Sequence, residues 1–130
     1  MKDRNIMHLP YMDRISGGPH FRVKYNFFEK SDGGRLKMPS QGYRSDLFYE
    51  GDDVNLGVYM VWPEFLDDDL NVITNINIPV SVSGYADMWI VDKDMIHTIH
   101  IEKLKVGAIC YFMEGPRKVA RAEIVSITIH

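Results

Sequence analysis

From Phe21 to Phe27 the chain alternates without exception. Phe21, Val23, Tyr25 and Phe27 fall on one side of an extended backbone, and Arg22, Lys24 and Asn26 on the other. A period of two fits a strand with one buried face and cannot make the stripe of an amphipathic helix. Shorter runs of the same kind follow. Gly42–Glu50 carries Tyr43, Phe48 and Tyr49, while Leu56–Trp62 is apolar on both faces and is expected to stop at Pro63, which brings no N–H to a ladder. Val72–Val82 opposes Asn75 and Asn77 to Ile76, Ile78 and Val80, and Gly84 interrupts before a short strand at Met88–Val91. Met95–Ile101, Val106–Glu114 and Lys118–Ile129 complete the series. Ser31–Gly34, Glu50–Asp53, Asp92–Asp94 and Glu114–Arg117 are the turns between them. No segment keeps a helical stripe over three turns. Short strands at close intervals predict an all-β, antiparallel sandwich or barrel.

With 130 residues the chain fits one domain. Residues 20–130 read as that domain. Residues 1–19 read as an N-terminal arm with Gly17-Gly18-Pro19 as its hinge, to pack as an edge strand or to stay mobile. The hydrophobic share of 45% with 25% charged residues excludes a disordered chain. No run approaches the roughly 20 apolar residues that span a bilayer. Met1–His8 is charged and has no apolar core of a secretory signal. The lone Cys110 sits among Ala108, Ile109, Tyr111 and Phe112, as a buried thiol would. No export signal and no possible internal disulfide together predict a cytoplasmic protein.

The net charge of −3 conceals a division along the chain. Residues 45–94 hold eleven acids against one base, Lys93, which leaves −10; the other eighty hold fourteen bases against seven acids, which leaves +7. If strands from the two parts stay apart, the domain has one acidic and one basic face and favours an oriented, charge-steered partner.

Motifs for chemistry are few. No GxxxxGK[ST] or GxGxxG cradles a phosphate, and no GxSxG presents a nucleophile. His97 and His100 on a strand would point to opposite faces, and Asp67-Asp68-Asp69 lacks the spaced oxygens and turn glycine of a calcium loop. No catalytic, cofactor-binding or metal-binding residue is therefore assigned, and no enzyme activity is expected. Arg35, Lys37, Tyr43 and Arg44, and again Arg117, Lys118 and Arg121, mix cations with aromatics or turns as nucleic-acid contacts do. The alternative is ordinary solubilising charge.

Asp32-Gly33-Gly34-Arg35, then Gly42-Tyr43-Arg44, then Leu47-Phe48-Tyr49 resemble the C-terminal (third) domain of elongation factor Tu and related translational GTPases. Phe21–Phe28 matches the place of that family's first strand. Phe112–Val119 resembles the turn before its last strand, although Ser45-Asp46 and Pro116 replace residues of the family pattern. The resemblance covers residues 20–130 and implies a closed six-stranded antiparallel β-barrel standing alone. The GTP-hydrolysing domain has no counterpart here. In the family this barrel binds rather than catalyses, taking transfer RNA, an exchange partner and its own GTPase domain. The implied function is a non-enzymatic binding module for a protein partner. The alternatives are an RNA-binding, transfer-RNA-like barrel, or a small ligand-binding barrel or enzyme. Candidate partner-binding residues are Arg35, Lys37, Tyr43, Arg44, Tyr49, Arg117 and Lys118; Tyr43, Tyr49 and Trp62 are the first candidates for aromatic anchors.

Overall fold

The structure, a computed structural model, describes residues 7–53, 55 and 57–129. The first six residues of the expected arm, Leu56 and position 130 lie outside the described residues. Six strands form one antiparallel sheet: β1 Phe21–Phe27, β2 Asp46–Tyr49, β3 Val61–Phe65, β4 Ser83–Ile90, β5 Ile109–Glu114 and β6 Arg117–Ile127. Their order across the sheet is β2-β5-β6-β1-β4-β3. The strict alternation of β1 becomes strict burial: Phe21, Val23, Tyr25 and Phe27 are each at most 2% exposed. They meet Leu47 and Tyr49 of β2, Val61 and Phe65 of β3, Ala86, Met88 and Ile90 of β4, and Cys110, Phe112, Ala122 and Ile124 of β5 and β6 in one core. Burial pushes the Cys110 thiol up to about 12, so it packs as a neutral apolar group.

The barrel is not closed. The sheet curves into an open half-barrel. Among the described residues, β2 is tied toward the other edge through Leu47 and Tyr59, which lies just before β3; the two exchange hydrogen bonds of 2.8 and 2.9 Å. The reason lies along β3. Phe65 turns its backbone N–H and C=O away from β4, and the Gln41 side chain takes both: Phe65 N–H donates to Gln41 Oε1 and Gln41 Nε2 donates to the Phe65 carbonyl, each at 2.8 Å. A second Gln41 bond reaches the Ile73 carbonyl at 2.8 Å. Pro63, two residues back, shares that edge and has no N–H to offer. One side-chain amide and one proline thus replace the ladder that would join β3 to β2.

Several local expectations are corrected. Pro63 lies within a strand, because on a free edge its missing N–H costs nothing. Gly84 is part of β4; a Cβ there would stand 3.2 Å from the Tyr25 hydroxyl oxygen. Val72–Val82 forms no ladder strand, only isolated bridges at Val72, Asn75 and Pro79, and the Asn75 side chain accepts the Asn77 N–H at 2.8 Å. Met95–Ile101 is helical, with a π-turn at Ile96–His100 running into Ile101–Lys103. It opens on an Asp92 side chain that accepts the Asp94 N–H at 3.1 Å, and buries His100 and Leu104.

The arm from residue 7 onward crosses the face of β3 and β4 opposite the core. Glu64, 1% exposed, holds it there. Its carboxylate lies 2.5 Å from His8 Nε2, accepts the Tyr11 N–H at 2.8 Å and accepts Trp89 Nε1–H at 3.1 Å. A buried carboxylate is tolerable when donors surround it. The Tyr11 ring lies 6.1 Å from Trp89 and 6.2 Å from Trp62, which makes a second apolar layer.

Candidate functional site

Three of the residues singled out from sequence converge on Glu114, the last residue of β5. Arg35 Nη1 and the Tyr43 hydroxyl both donate to Glu114 Oε2, and Arg117 Nη2 donates to Oε1 at 2.9 Å. The local chain explains the meeting. Gly33 takes a left-handed φ of 89° and closes the turn after Lys30–Asp32. Gly34 then passes so close to Phe28 that a Cβ would sit 1.9 Å from its carbonyl oxygen. Only glycine allows that passage, which delivers Arg35 to the rim of the barrel. Arg35 Nε also donates to the Lys37 carbonyl at 2.9 Å, and its guanidinium stands 5.0 Å from the Tyr43 ring centre. Tyr43 in turn stacks on Phe65 at 6.5 Å, tying the group to the core.

Burial alone would raise the Glu114 carboxyl, but hydrogen bonds from Tyr43, Arg35 and Arg117 outweigh it and hold the group below the usual carboxylate range. Burial, then Glu114, raises the Tyr43 phenol well above its ordinary value, so it stays a donor. Glu114 was legible only as a turn residue; its role as the common acceptor was not.

Lys118 lies on the next stretch of the hairpin, exposed, with its ammonium 4.1 Å from the Tyr111 ring centre and 5.4 Å from that of Phe48. Lys118 and Arg117 line a cavity of about 690 Å³. The buried Phe48 and Met113 and the acidic Asp32, Glu50, Asp52 and Asp53 line it too. The Tyr111 hydroxyl donates to Glu50 at 2.7 Å, and Lys103 pairs with Asp52 at 2.7 Å.

The remaining candidates lie apart from the Glu114 group. Lys37 is exposed beside it, contributing its carbonyl. Arg44 is exposed and stacks over Trp62 at 4.2 Å on the arm side of β3. Tyr49 is 3% exposed and belongs to the core, with its hydroxyl 2.6 Å from His100 Nδ1, so it is no surface anchor. Burial, then the neighbouring His20, lowers His100 to about 4. His97 is exposed while His100 is buried, and they share no site. Among the described residues no group of three or more His, Cys, Asp and Glu could hold a metal ion. None of their helices is long and apolar enough to cross a membrane.

The charge division reaches the architecture. The three central strands, β5, β6 and β1, come from the basic part of the sequence, and β2, β4 and β3, which flank them, from the acidic part. Compared with known proteins, the chain matches no family model and no curated protein.

Proposed function

We propose that the chain is a non-enzymatic binding module, a barrel-like domain of the kind found third in elongation factor Tu, that engages a protein partner. The partner binds at the cavity between the Glu50–Asp53 turn and the β5–β6 hairpin. One observation carries the choice of a protein over RNA: Arg35 and Arg117, two of the five cations that the RNA reading would offer to phosphates, are already held on Glu114. The neighbouring opening is lined by Asp32, Glu50 and Asp53, besides an Asp52 that Lys103 already holds, and these carboxylates repel a phosphate backbone and attract a lysine- or arginine-bearing segment. An apolar floor with a charged rim suits one or two inserted side chains, and the volume falls in the range of binding clefts. The exposed Lys118 over Tyr111, beside Phe48, is the feature that supports the alternative RNA reading, since cation and ring together can take a base and its phosphate.

The test is quantitative capture from the native cell with the whole chain and with a charge-reversed Asp32→Lys/Asp53→Lys variant, both positions being exposed. The same few proteins are expected on the whole chain, resistant to nuclease, and about tenfold depleted on the variant. Equal recovery on both, or recovery that nuclease abolishes, would refute the reading.

A further inference from the structure

His20 stands immediately before β1 and is 2% exposed. Its Nδ1 accepts the backbone N–H of Ile90 at 2.9 Å. A ring nitrogen that accepts is bare, so the neutral ring carries its hydrogen on Nε2. That Nε2 is buried and meets no hydrogen-bond partner among the described residues. Over it lies the arm. A Cβ at Gly17 would begin 4.0 Å from Nε2, and one at Gly18 would begin 3.1 Å from Cε1 and 2.5 Å from the Trp89 ring. Glycine backbone therefore covers the imidazole. Lys93, from the turn after β4, donates to Ser16 Oγ and so stands beside the same stretch of arm.

We propose that His20 is an acid-sensitive latch: neutral, it seals residues 16–19 of the arm against the sheet; protonated, it releases them. A proton on Nδ1 sets two donors, Nδ1–H and Ile90 N–H, face to face across 2.9 Å. It also places a second cation beside Lys93, and leaves Nε2–H without an acceptor inside. Water reaching the ring relieves all three, and the arm is what must move to admit it. The buried His100 is also close enough to feel His20, and Asp92 and Lys103 act on His100 from the same helical turn region. His8 lies farther along the arm. Its Nε2 lies 2.5 Å from the Glu64 carboxylate, which anchors that end of the arm away from the hinge. Burial, then Lys93, holds His20 below the ordinary value of 6.5. A base whose folded-state pKa is lowered keeps its full contribution above that ordinary value, and loses it as the pH falls toward the lowered one. The latch is thus closed at neutral pH and opens in acid.

Amide hydrogen exchange on the full chain, corrected for intrinsic rate, tests this between about pH 7.5 and about pH 4.5. Peptides spanning residues 14–20, where the Arg14, Ile15 and His20 amides are hydrogen-bonded, should lose protection by about tenfold on the acid side, while β5 and β6 keep theirs. In His20→Gln the amide oxygen still accepts Ile90 N–H but takes no proton, and the pH dependence of the arm should flatten. In Lys93→Gln the midpoint should move to higher pH. Unchanged arm protection across the range, loss shared by β5 and β6, or loss that persists in His20→Gln would each overturn the proposal. If His20→Gln does not fold, a Lys93→Gln midpoint that stays or moves to lower pH overturns it.

Discussion

Replacing Gln41 by Leu keeps the volume near constant and removes three hydrogen bonds. The Phe65 carbonyl still accepts the Ile73 N–H at 3.0 Å, so it is not stranded. Phe65 N–H is stranded, in a residue that is 0% exposed, and an orphaned buried donor costs about 1–3 kcal/mol. The Ile73 carbonyl is only partly buried and can recruit water, which adds at most about 1 kcal/mol. Burying the leucine returns on the order of 1 kcal/mol. The net expectation is a loss of about 2 kcal/mol, read by urea unfolding at neutral pH with an unchanged slope. Gln41→Glu sharpens the test. Its carboxylate can accept Phe65 N–H but faces the carbonyls of Phe65 and Ile73, so the folded state favours its protonated form. A carboxyl with a raised folded-state pKa costs stability above its unfolded value and regains it as the pH falls. Gln41→Glu should therefore be less stable than Gln41→Leu at about pH 7 and recover relative to it near pH 4. A leucine variant as stable as the parent, or two variants indistinguishable at both pH values, would refute the account of how the β3 edge is satisfied.

Gly34→Ala should cost more than Gly33→Ala by at least about 1 kcal/mol in thermal unfolding, since its Cβ meets the Phe28 carbonyl at 1.9 Å while Gly33 has open space and pays only for its φ of 89°. His100, lowered to about 4 by burial and then by His20, binds its proton more readily in the unfolded chain. Stability should accordingly fall from about pH 6.5 to about pH 4 by on the order of 3 kcal/mol, and His100→Gln should lose most of that slope in urea unfolding. Glu114→Gln should destabilise by about 1–2 kcal/mol and free Arg35 and Arg117, raising retention on heparin.

What the sequence made legible was what local sterics and periodicity decide. The alternation of Phe21–Phe27 read directly as β1, β5 fell within a run read as a strand, and β6 did so except for its first residue, Arg117, which was read as the end of a turn. Pro63 misled because its effect depends on which edge a strand presents, a tertiary property. Ile96, Thr98, Ile99 and Ile101 suggested a strand through their branched side chains, but Ile96, His100 and Leu104 recur at the helical spacing of four, and that pattern won. Closure was the larger miss. The resemblance implied a closed barrel, whereas Gln41 bonds the β3 edge in place of a strand, and a lone glutamine carries no signal of such a role. For the candidate site, Arg35, Tyr43 and Arg117 were named through the resemblance, and they do meet. Their meeting point, Glu114, looked like any residue before Gly115-Pro116, because a shared acceptor between residues seventy or more positions apart leaves no local trace. Tyr49 looked like Tyr43 in sequence; burial beside His100 separates them.

The central claim is that Arg35 and Arg117, at the family-like turns, serve the fold through Glu114, leaving a surface built for protein. Titration of total cellular RNA at about 50 mM and about 150 mM salt, with the parent chain and with Arg35→Ala/Arg44→Ala/Arg117→Ala, tests it most directly. The expected result is weak or absent binding at the higher salt, and little difference between the two proteins there. Tight binding of the parent at about 150 mM salt that the triple variant loses would contradict the claim and make RNA the partner.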